Sequence, residues 1–87
     1  MSGSMLADKL NTIVSGWDDL TLSGVKHRVS PLISEIENSV DETLFKSFMI
    51  EFECVKMECI YGDRDDYTEM VKNDFLTVVK NIIKVLG

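Results

Sequence analysis

Ser39 is the residue of this chain whose type and place could carry chemistry. It begins the stretch Ser39-Val40-Asp41-Glu42, which matches the capping pattern S-x-x-E at the start of a helix. In that arrangement the Ser39 hydroxyl accepts from the Glu42 amide, and the Glu42 carboxylate accepts from the Ser39 amide. Asp41 and Glu42 add negative charge at the positive end of the helix dipole. A hydroxyl in that position lies beside unsatisfied backbone N–H groups, a favourable place for a phosphate ester. A serine used as an attachment point needs no base of its own, because a separate enzyme supplies the chemistry. The plainer reading of the same four residues is a cap and nothing more.

The remaining reactive side chains form no constellation. Cys54 and Cys59 are five residues apart, which on a helix turns them about 140° from one another. No C-x-x-C is present, so the expectation is two reduced, partly buried thiols and no metal site. His27 stands between Lys26 and Arg28 and reads as a solvated surface residue, with no serine or cysteine placed to use it. The acidic run Asp63 to Asp66 lacks the glycine and distal glutamate of a calcium loop, and reads as capping and solvation. The glycines fall singly at breaks, so there is no phosphate-cradling loop. Trp17 reads as a core or lid aromatic. No cluster of acids, bases or nucleophiles is visible, and the chain is not expected to be an enzyme.

Composition sets the class. The chain has 87 residues, 45% of them hydrophobic, with one proline and five glycines. That is one small domain with enough apolar content for a packed core. Residues 1–4 read as a cloning scar or disordered start, and residues 5–87 as a single helical domain. The net charge is −6, and the nine Lys and Arg residues are scattered. Nucleic acid is therefore not an expected ligand. An acidic surface suits a basic protein partner. No apolar run approaches the roughly 20 residues needed to cross a bilayer, and no signal peptide is visible. The expectation is a cytoplasmic monomer that does not enter a membrane.

Periodicity supplies the elements. The spacing predicts a first helix from Met5 to Ser15, capped by Ser4, with Leu6, Leu10, Ile13 and Val14 on its apolar face. Residues 16–24 read as a loop anchored by Trp17, Leu20 and Leu22. Pro31 favours a short helix from Pro31 to about Asn38. A third helix begins near residue 40, with Phe45, Phe48, Met49, Phe52, Val55 and Cys59 on one stripe. A second stripe, Ile50, Cys54, Met57 and Tyr61, implies burial on two sides. An alternation in "IEFECVKM" leaves open an extended exit after Phe52. Gly62 and the aspartates after it read as a break, with Asp66-Tyr67-Thr68-Glu69 as another capping pattern. The last helix carries Tyr67, Met70, Val71, Phe75, Val78, Val79, Ile82, Ile83 and Leu86 on a broad apolar face, with Lys72, Lys80 and Lys84 mostly opposite. The sum is an all-α, small four-helix bundle.

Asn38-Ser39-Val40-Asp41 resembles the Asp-Ser-Leu signature of the acyl/peptidyl carrier protein family. The resemblance runs from about Leu6 to Met57, and "FLTVVKNIIKVL" looks like that family's last helix. Asn38 stands where the family has aspartate, and Val40 where it has leucine. The resemblance implies an acyl-carrier-protein-like bundle with 4′-phosphopantetheine esterified to Ser39, serving fatty acid or polyketide biosynthesis. It implies a phosphopantetheinyl transferase as one partner. Basic-surfaced acyl- or aminoacyl-transferring enzymes would be the others, met through Asp41 and Glu42. It also implies that the core between the helices could shelter an acyl chain. The rival expectation is a non-enzymatic helical interaction module: an inhibitor, immunity protein, antitoxin or secretion chaperone. Its grounds are the acidic charge, the missing catalytic residues and the two-sided helix around Phe48 and Ile50.

Overall fold

The computed structural model describes residues 2–61 and 65–87, with side chains described over 5–60 and 68–87. The described residues form four helical segments and no strand: α1 (Ser2–Ser15), a bent segment of α2 (Leu22–Val29) and α3 (Ile33–Ser39), then α4 (Glu42–Tyr61) and α5 (Asp65–Leu86). The chain is an all-α bundle, as its periodicity predicts. Its Cα radius of gyration is 12.4 Å, close to the ~12 Å expected for a compact domain of this length.

The segments close into a ring. α5 packs on α4 and α1, and α2 packs on α4 and α1, with α3 lying against α1 and α4. The middle is occupied by rings. Phe48 and Phe75 have centroids 5.5 Å apart, Phe52 lies 6.0 Å from Phe48, and Trp17 lies 5.9 Å from Phe75. All four are buried. Leu6, Leu10, Val25, Val29, Ile36, Val55, Val79 and Ile82 fill the space around them. The expected shelter for an acyl chain in the core is therefore taken up by side chains. Thr68 Oγ1 donates to Glu58 Oε2 at 2.6 Å and ties α5 to α4 near their junction.

Several boundaries differ from the sequence expectation. α1 begins at Ser2, so Ser4 lies inside it and does not cap it. The chain expected to loop before Pro31 is helical from Leu22, because Thr21 caps α2: its Oγ1 accepts from the Gly24 amide at 3.0 Å. Starting there buries Leu22, Val25 and Val29 on one face. Pro31 is absorbed by a single 3-10 turn at Ser30–Leu32. The ring's missing N–H then leaves no hole in an α-helical ladder, and the chain bends instead of breaking. α4 continues without an extended exit to Tyr61. α5 begins at Asp65, so Asp66 does not cap it. Lys72, expected on the polar side, is only 8% exposed. The expected break at Gly62 and the side chains of Asp63 to Asp66 lie outside the described residues.

Candidate functional site

Ser39 is not at the start of a helix. It is the last residue of α3, and Val40 turns the chain into extended backbone at φ −122°, ψ 165°. The cap of α4 is Asp41, whose Oδ1 accepts from the Leu44 amide at 2.7 Å. The Phe45 amide donates to the Asp41 carbonyl at 3.0 Å, closing the first turn. The capping box between Ser39 and Glu42 therefore does not form. A carboxylate at the helix start outcompetes a hydroxyl two residues earlier, because it makes a charge-assisted bond to the orphan amide and faces the positive dipole end. Ending α3 at Ser39 also keeps Ile36 fully buried and lets Val40 pack against the core.

The electrostatic case for a phosphate ester shifts with that boundary. Ser39 sits at the carbonyl end of α3, where the dipole is negative. Its side chain is exposed and borders a hollow of about 340 Å³ lined by Met5, Leu6, Lys9, Glu35 and Asn38. Across that hollow Lys9 Nζ lies 3.3 Å from Glu35 Oε1. Asp41 and Glu42, expected to meet partners, are exposed. Asp41 is engaged as the cap, and Glu42 pairs with Lys46 at 3.2 Å.

A different surface stands out on α4 and α5. The first apolar stripe of α4 is buried through Phe48, Phe52 and Val55, with Phe45 and Met49 half-buried. The second stripe is not. Ile50 is 64% exposed and Met57 59%, and Cys54 between them is exposed. The expectation that α4 is buried on two sides is thus corrected: α5 and α2 cover one side, and the described chain places nothing over the other. Cys59 is exposed as well, so neither thiol is partly buried. The side chain of Tyr61 lies outside the described residues. His27 is exposed, and Trp17 is a core residue, 3% exposed.

The α4 stripe has a counterpart on α5. Met70, Asp74, Asn81 and Val85 recur at spacings that put them on one side of that helix. Asp74 and Asn81 line a groove of about 480 Å³ between α4 and α5, together with Ser47, Ile50, Glu51, Thr77 and Val78. Met70, expected on the inward apolar face of α5, is instead 49% exposed, and Val85 is 63% exposed. With Ile60 of α4, 68% exposed, five large apolar side chains stand in solvent on this pair of helices, and the groove between them is bordered by two carboxylates.

Sequence reasoning named the residues of the α4 stripe but assigned them to the interior. A signal against that was present: Lys46, Ile50, Glu53 and Met57 follow one another at i, i+4, i+7 and i+11. A helix face carrying Lys46 and Glu53 cannot be fully buried without leaving charges unpaired. Among the described residues, no group of His, Cys, Asp and Glu could hold a metal ion, and no helix is long and apolar enough to cross a membrane. No protein-family model, no curated protein and no solved structure matches the chain.

Proposed function

We propose that the chain is a non-enzymatic helical interaction module that docks a basic protein partner on the outer face of α4 and α5. The observation that carries this reading is the solvent-facing stripe of Ile50, Cys54 and Met57. A helix face of this kind adds nothing to the domain's own core, and contiguous exposed apolar surface marks interaction sites. The charge of −6 favours a partner of opposite sign and speeds the encounter. The function classes that fit are those of a small inhibitor, immunity protein, antitoxin or secretion chaperone. The test is capture from the source cell's lysate on immobilised protein. One defined partner should be retained by the wild type and by Ser39→Ala, and lost from Ile50→Asp and Met57→Asp. Retention untouched by either stripe substitution would overturn the reading.

The carrier reading keeps one supporting observation: the Ser39 hydroxyl is exposed beside the hollow that Met5, Leu6 and Lys9 line. In that reading the 4′-phosphopantetheine arm leaves from Ser39, and its cargo lies on the surface. Co-expression with a promiscuous phosphopantetheinyl transferase and measurement of the intact mass decides it. An unmodified wild type, or the same mass gain on Ser39→Ala, rejects it.

A further inference from the structure

Resting on the interaction-module reading, we infer that the groove between α4 and α5 takes one basic amphipathic helix of the partner, laid lengthwise along the helix pair. The lining of the groove specifies that chemistry. Its apolar part is Ile50 and the buried Val78, and its polar part is Ser47, Thr77 and Asn81. Glu51 on α4 and Asp74 on α5 each contribute a carboxylate, and no Lys or Arg lines it. An apolar floor between two carboxylates favours a ligand with an apolar spine and cations on its flanks, and it disfavours an acidic one.

The fold argues for a helix as the form of that ligand. α4 and α5 meet the incoming chain with side chains alone, because their backbone amides and carbonyls are bonded within each helix. An extended strand would find no ladder to join. A helix satisfies its own backbone and sets its ridge of side chains into the groove between two others. The two helices have 20 and 22 residues, so the face is about 30 Å long and matches a partner helix of about 20 residues. Beyond the groove the same face continues through Cys54 and Met57 on α4, with Lys46 held by Glu42 and Glu53 by Lys56 beside them, and reaches Met70 and Val85 on α5, which gives a long partner further apolar contacts. A second copy of this chain fits less well. It would set Glu51 and Asp74 against its own carboxylates and join two molecules that each carry −6.

The test uses two synthetic helical peptides of about 20 residues with the same leucine spine, one flanked by Lys and Arg and the other by Glu. Binding to the full chain is read by fluorescence anisotropy at about 0.1 M salt. The basic peptide should bind at least about tenfold more tightly than the acidic one. Glu51→Gln with Asp74→Asn should shrink that preference several-fold. Ile50→Asp should weaken the basic peptide about tenfold, although it adds a carboxylate and would strengthen a purely electrostatic association. Thermal melts of the variants show that each is folded. Equal binding of the two peptides, wild-type binding by Ile50→Asp, or self-association of the chain through this face overturns the inference. Capture from lysate separates the two levels. A partner retained by Glu51→Gln/Asp74→Asn as well as by the wild type, but lost from Ile50→Asp, rejects the basic helix and leaves the interaction module standing. A partner retained by Ile50→Asp rejects both.

Discussion

Replacing Asp41 and Ser39 separately by alanine tests where α4 begins. The Asp41 carboxylate accepts from the Leu44 amide at 2.7 Å, while Ser39 ends the preceding helix. Removing a cap of this type costs roughly 1 kcal/mol, within a range of about 0.5–2. Asp41→Ala should fall in the upper half of that range, because the lost bond is charge-assisted and the carboxylate also faces the helix dipole. Ser39→Ala removes an exposed hydroxyl from the end of a helix and should change stability by less than about 0.5 kcal/mol. With a urea m-value near 1 kcal/mol/M for a chain of this size, Asp41→Ala lowers the unfolding midpoint by about 1.3–2 M and Ser39→Ala by less than about 0.5 M. Urea unfolding followed by fluorescence reads this directly, since Trp17 is the one tryptophan and is buried against Phe75. Asp41→Asn should recover most of the loss, because an amide oxygen still caps. A Ser39→Ala loss equal to that of Asp41→Ala would refute the boundary. It would restore the capping box between Ser39 and Glu42, and with it the electrostatic case for a phosphate on Ser39.

Other expectations follow from the core and the surface. Phe48→Ala, which empties the fully buried centre of the aromatic cluster, should cost about 3–5 kcal/mol and leave little or no cooperative unfolding by circular dichroism. Trp17→Phe should cost clearly less than Trp17→Ala. The indole N–H is buried with no hydrogen-bond partner among the described residues, so its removal returns part of the roughly 1–3 kcal/mol penalty of an unsatisfied donor. Thermal melts by circular dichroism compare the two. Breaking the half-exposed pair of Lys9 and Glu35 by Glu35→Gln should shift stability by less than about 1 kcal/mol, again by thermal melt. Ile50→Ser should leave stability within about 0.5 kcal/mol of the wild type in urea unfolding while reducing partner capture.

The sequence made the helices legible and left their ends and outer faces obscure. Leu6, Leu10 and Ile13, and Val71, Phe75, Val78 and Ile82, repeat at helical spacing, and all are buried. Pro31 misled because a proline inside a periodic series reads as a helix start, whereas one 3-10 turn lets α2 and α3 continue through it. Ser39 and Asp41 are both good caps two residues apart. The charge of Asp41 favours it as the cap, and burial adds to that preference, because the boundary at Ser39 buries Ile36 and packs Val40 against the core. Ile50 and Met57 show the deeper limit. Two apolar stripes on one helix do not distinguish a second face covered by the chain itself from one left open to another molecule. Only the placement of α5 and α2 around α4 tells which.

On the proposed reading, stability and binding are divided between two sides of α4. Phe48, Phe52 and Val55 hold the helix in the bundle, and Ile50, Cys54 and Met57 lie opposite without helping to fold it. A chain of 87 residues has a small core and modest margin, yet it leaves five large apolar side chains of α4 and α5 in solvent. Selection for solubility alone would replace them with polar residues at little cost in stability, since surface substitutions usually change it by less than about 0.5 kcal/mol. Their presence is better explained by a partner that buries them. The carboxylates of Glu51 and Asp74 beside them give that surface a charge preference as well as an apolar one. On the proposed interaction-module reading, specificity lies on the α4–α5 face, where apolar contact and charge can act together on one ligand, and Ser39, on α3, is a separate question for the mass measurement.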